Sequence, residues 1–76
     1  NIASGSTSTI SGGYQNKADG IAAFVGAGRM NCAKASNSTV SGGYNNHACG
    51  NCTTVGGGVS NAASECSSTI AGGKDN

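Results

Sequence analysis

Seventy-six residues with a net charge of +1 limit the chain to at most one small domain, which buries little of its surface. Charged residues make up 9% of it, too few for the charge- and proline-rich composition of disordered chains, and proline is absent. The basic residues Lys17, Arg29, Lys34 and Lys74 are scattered along the sequence, which argues against a nucleic-acid partner, and no apolar run is long enough for a membrane span or signal peptide.

Asparagine recurs at positions 1, 16, 31, 46, 61 and 76, which divides the chain into lines of fifteen residues. Residues 1–15 (NIASGSTSTISGGYQ) place the small Ala3 and Gly5 on a first short strand. Ser8, Ile10 and Gly12 form a second, and Gly13 sits in the turn. Residues 16–30 (NKADGIAAFVGAGRM) keep Ala18, Gly20, Val25 and Gly28, but put Ala23, Phe24 and Ala27 where other lines have Ser or Thr, Thr and Gly. Residues 31–45 (NCAKASNSTVSGGYN) repeat the scheme with Ala33, Thr39, Val40 and Gly43, and Ala35 replaces the fifth-column glycine. Residues 46–60 (NHACGNCTTVGGGVS) carry Ala48, Thr54, Val55 and Gly58, together with His47, Cys49 and Cys52. Residues 61–75 (NAASECSSTIAGGKD) carry Ala63, Thr69, Ile70 and Gly73, with Glu65 in the fifth column. Asn76 opens a sixth line in phase.

A fifteen-residue period is too short for a helical-hairpin repeat, which needs about 33–47 residues, and Gly, Ser, Thr, Asn and Val are indifferent or poor helix formers. The constant positions instead alternate with the period of two that marks a half-buried strand. The chain is therefore expected to be all-β: a parallel β-solenoid of five fifteen-residue coils, each with two short strands. Its core ladder is Ile10, Val25, Val40, Val55 and Ile70 with Ala3, Ala18, Ala33, Ala48 and Ala63. Asn1, Asn16, Asn31, Asn46, Asn61 and Asn76 stack as a polar ladder along the axis, as amide side chains do in other stacked strands. Gly13, Gly28, Gly43, Gly58 and Gly73 supply the turn where φ is positive, a conformation the Asn column also tolerates. Small residues in columns three, five, eight and twelve imply a flattened roll. So slight a core calls for further coils, staples or partner chains. Without the atypical end coils of most solenoids, residues 1–76 are expected to be one single segment cut from a longer array.

The unit Asn-x-Ala-x-Gly-x-x-Ser-Thr-Val-Ser-Gly-Gly resembles the head repeats of trimeric autotransporter adhesins, the YadA-like heads, and of related phage and viral fibre proteins. Their pattern is matched by Asn1, Gly5, Ser8, Ile10 and Gly12 and again by Asn46, Gly50, Thr53, Val55 and Gly57. The resemblance implies a left-handed β-roll in a homo-oligomer, a trimer or filament. Such a rod stands outside the cell or on a virion surface and presents variable columns to a host or matrix receptor. A second resemblance, to grass-type antifreeze β-rolls, implies an alternative: ice binding by the column Thr9, Thr39, Thr54 and Thr69, which Phe24 interrupts.

The remaining chemistry is sparse. His47, Cys49 and Cys52 suggest a metal site only if Cys32 or Cys66 joins them, because structural zinc takes four ligands. Disulfides suit an extracellular rod better. Cys52 and Cys66 lie one coil and one column apart and are the expected pair, with Cys32 and Cys49 more strained or bonded to other chains. Asn37 and Asn51 head glycosylation sequons. Three carboxylates, one histidine and no repeated polar constellation give no catalytic set. Neither an enzyme nor a cofactor is expected.

Overall fold

The computed structural model describes all residues 1–76. Ten strands of two residues each follow in chain order: β1 (Ile2–Ala3), β2 (Thr9–Ile10), β3 (Lys17–Ala18), β4 (Phe24–Val25), β5 (Cys32–Ala33), β6 (Thr39–Val40), β7 (His47–Ala48), β8 (Thr54–Val55), β9 (Ala62–Ala63) and β10 (Thr69–Ile70). The odd strands form one five-stranded parallel sheet and the even strands a second. Every pairing is in repeat register, as in Ala33 beside Ala48 and Val40 beside Val55. The fold is thus the expected β-solenoid. Cα extents of 28 × 25 × 12 Å make it a flattened roll.

Between the sheets lie Val25, Val40 and Val55 and, opposite them, Ala18, Ala33, Ala48 and Ala63. Ile10 and Ile70 are half-buried and Ala3 is exposed, because the first and last coils are covered on one side only. Column twelve is not part of this interior. Ala27 is exposed there, and a Cβ added to Gly12 would meet nothing within 4 Å. Its place is taken by column one, where Asn16, Asn31, Asn46 and Asn61 are at most 1% exposed.

Burying four amides is tolerable only because each is saturated. The Oδ1 of Asn31 accepts from the backbone N–H of Asn46 at 3.0 Å. Its Nδ2 donates to the carbonyls of Ala27 and Gly43 at 3.0 and 2.9 Å. Asn16, Asn46 and Asn61 repeat the same three bonds one coil at a time. Column eight contributes a smaller motif. The hydroxyls of Ser8, Ser38, Thr53 and Ser68 each donate to the carbonyl three residues back, closing the turn before the second strand.

Most backbone N–H groups donate to the following coil, as Cys32 does to Asn46 at 2.8 Å. Columns seven and fifteen reverse that direction: Asn37 donates back to Ile21 at 2.8 Å and Asn45 to Arg29 at 2.9 Å. The cause is their backbone. Residues in these two columns have φ of 54–60°, and a left-handed residue turns its amide over. The Gly13 column is also at positive φ, 96–112°, whereas the Asn column is not. Left-handed φ costs an L-residue about 1–2 kcal/mol, and glycine escapes that cost but loses chain entropy. Ala22→Gly, at φ 56°, is therefore expected to stabilise the roll by up to about 1 kcal/mol in a denaturant melt. The same change at the buried Ala23, which has ordinary φ, is expected to destabilise it.

Candidate functional site

With the interior committed to packing, function must reside on the outward columns. On the second sheet, Thr9, Phe24, Thr39, Thr54 and Thr69 stand side by side in register. The columns beside them hold Ser, Gly, Ala, Asn, Thr and Cys and no charged residue. Asn37 and Asn51 are both exposed near this face.

The opposite side differs in chemistry. Columns two and four of the first sheet present Lys17, Asp19, Cys32, Lys34, His47 and Cys49. Column fourteen forms a third parallel ladder of single bridges, in the order Tyr14, Arg29, Tyr44, Val59 and Lys74. Arg29 is sandwiched there, its guanidinium carbon 5.6 Å from the Tyr14 ring centroid and 5.7 Å from that of Tyr44. Both distances are within the range of cation–π attraction. All four Lys and Arg side chains thus gather on one side, although they are dispersed in sequence. Columns two, four and fourteen are brought together only when the coils close.

Columns fifteen, two and four line an open groove of about 530 Å³, among others through Gln15, Lys17, Met30, Cys32, Lys34 and His47. Lys17 lies 3.7 Å from Asp19, a solvent-screened pair, and Asp19 also accepts from the hydroxyl of Ser4 at 2.9 Å. The His47 Nε2 is 3.2 Å from the Oδ1 of Asn45.

All four cysteines, Cys52 and Cys66 of the expected pair among them, are free thiols in the structure, and Cys52 sits at a left-handed corner, φ 59°. Nowhere do three or more His, Cys, Asp or Glu side chains converge in a way that could hold a metal ion. Burial pushes the Cys32 thiol above its ordinary value, Asp19 and Cys49 push the same way, and Lys17 and Lys34 oppose them. A raised thiol value in the fold means that Cys32 contributes stability while protonated and loses it as pH rises through the folded value. The thiolate is the nucleophile. In native protein near pH 8, iodoacetamide is therefore expected to label Cys32 more slowly than the exposed Cys49, Cys52 and Cys66, with urea abolishing the difference. Peptide mass mapping over time reads this directly.

Residues 38–50 match the family model described as ubiquitous surface protein adhesin repeat. The matched stretch runs through β6, the Gly42–Gly43 turn, Tyr44, the ladder residue Asn46 and β7. It holds the elements by which one coil passes to the next. No curated protein and no solved structure matches the chain. No helix in the structure is long and apolar enough to cross a membrane.

Proposed function

We propose that the chain is a segment of a structural and adhesive fibre, an extracellular rod on a cell or virion surface. One observation carries this reading: near-identical coils stack in register through the stretch similar to an adhesin repeat. Continuous backbone ladders and the buried Asn column make the stack stiff along its axis, while the outward columns vary from coil to coil and can present contacts. The role is mechanical and presentational, with no catalytic step. The rolls wind left-handed and associate as a trimer or filament, so that chain–chain packing supplements a core of valines and alanines. Sedimentation of the natural material in reducing and non-reducing buffer tests this. A trimer or larger fibre is expected, and a stable 7.2 kDa monomer would overturn it.

The unbroken register of Thr39, Thr54 and Thr69 favours a second reading, an ice-binding roll. It requires thermal hysteresis that disappears in Thr39→Tyr or Thr54→Tyr. Phe24, standing between Thr9 and Thr39, shortens the regular face.

A further inference from the structure

The groove beside the Tyr–Arg–Tyr ridge is a ligand site for an acidic oligosaccharide, we propose, which names a receptor chemistry for the adhesive rod and in that respect rests on the reading above. Three observations converge. The chain has only four Lys and Arg residues, two tyrosines and one methionine. The fold places all of them on columns fourteen, fifteen, two and four, whereas the opposite sheet face is uncharged. The groove of about 530 Å³ is a shaped concavity within the size range of ligand clefts. Lys17 and Lys34 line it, and Arg29 is held between Tyr14 and Tyr44 in column fourteen, the column that directly precedes the groove-lining Gln15, Met30 and Asn45. Asp19 and Asp75 share these columns and offset two of the four cations, and Asp19 is already engaged by Lys17 and Ser4.

The pattern suits a sugar acid better than a nucleic acid. Nucleic acid carries a phosphate on every nucleotide and calls for closely clustered cations. Here the cations are few and separated by amides, hydroxyls and a thioether, the groups that meet sugar hydroxyls and ring C–H surfaces. Tyr14 and Tyr44 are two coils apart, about 9.6 Å at the usual strand spacing, with the cation Arg29 midway. A chain of alternating charged and neutral sugars repeats on that scale.

The probe is a hyaluronan octasaccharide titrated into the isotopically labelled full chain and followed by NMR, with a single-stranded DNA octamer and dextran sulfate in parallel. Shifts confined to columns fourteen, fifteen, two and four are expected, with the dissociation constant raised at least tenfold by Lys17→Gln with Lys34→Gln, and by Tyr44→Ala. Thr39→Val on the opposite sheet is expected to leave it unchanged. These positions are exposed or line the open groove, and an unchanged circular dichroism spectrum confirms that each variant folds. No shift with hyaluronan overturns the assignment. So does equal binding of all three polyanions with no effect of Tyr44→Ala, which is unspecific attraction, and so does preference for the DNA octamer. Binding by a protein that sediments as a monomer keeps the groove and removes the fibre. A fibre that ignores hyaluronan does the reverse.

Discussion

Asn31→Ala is expected to lower the free energy of unfolding by about 3–5 kcal/mol, roughly twice the loss from trimming a core valine to alanine. The valine loses two methyl groups and leaves a small apolar gap. Asn31 takes with it the acceptor of the Asn46 amide and the donor to the carbonyls of Ala27 and Gly43. The side chain is 1% exposed and its bond with Asn46 is wholly buried, while the Gly43 carbonyl keeps the backbone N–H of Arg29 as a second partner. Each buried polar group left without a partner costs about 1–3 kcal/mol. Asn31→Asp separates the acceptor role from the donor role. Its carboxylate still accepts from Asn46 but faces two carbonyl oxygens, which raises its folded pKa above that of an unfolded aspartate. The variant is therefore expected to be as damaged as Asn31→Ala at pH 7 and to regain stability as acid protonates the group and restores one donor. The exposed Asn76 makes a single side-chain bond, to Gly72, and Asn76→Ala should cost well under half as much. Urea melts of the four proteins decide the matter. A loss below 1 kcal/mol for Asn31→Ala would show that the Asn ladder is not what holds the coils in register.

The ladder was legible in the sequence because its residue type never varies, and so was the β-branched column from Ile10 to Ile70, where only one side chain shape fits the narrow interior. Column twelve misled. Small, β-branched and small residues in columns eight, ten and twelve imitate a strand face, yet the chain has already begun to bend after β2, β4, β6, β8 and β10, and the inward position passes to column one. The left-handed corners were invisible for the opposite reason. Thr7, Ala22, Asn37, Cys52 and Ser67, like Gln15, Met30, Asn45, Ser60 and Asp75, share no chemistry, and the corner of the coil carries the conformation whatever residue is there, Thr7 and Gln15 adopting it with no earlier coil to donate to. The grouping of charge was hidden too. Lys17, Arg29 and Lys34 occupy three different columns, and nothing in the linear order says that columns two, four and fourteen share a side.

The two glycines of one pair provide the sharper test, since only the second of them is Gly in every line. Gly43→Ala is expected to destabilise the roll by about 3 kcal/mol or more, and Gly42→Ala by less than about 1 kcal/mol. Gly43 has φ of 96°, where an alanine is strained before any neighbour is considered. Its added Cβ would also fall on the carbonyl oxygen of Gly58 and lie 2.7 Å from the Nδ2 of Asn46, both nearer than real Cβ contacts permit. That oxygen accepts from the backbone of Tyr44 and from Asn46 Nδ2, each at 2.9 Å. Relief of the clash therefore disturbs both bonds that Gly58 accepts, one across the seam between coils three and four and one from Asn46 within coil four. Gly42 has no positive φ, and the nearest atom to its added Cβ is the Ala27 carbonyl oxygen at 3.4 Å, an ordinary contact. Ala27 itself already occupies the same column one coil earlier. Thermal melts of the two single variants are enough. Equal losses would mean that close approach of the coils, and not a generic tight turn, has been wrongly assigned to Gly43. A large loss at Gly43 alone points to positive φ combined with close approach as the reason glycine never yields in column thirteen, because columns five and eleven, whose glycines approach the next coil as closely at ordinary φ, accept Ala35, Glu65 and Ser41.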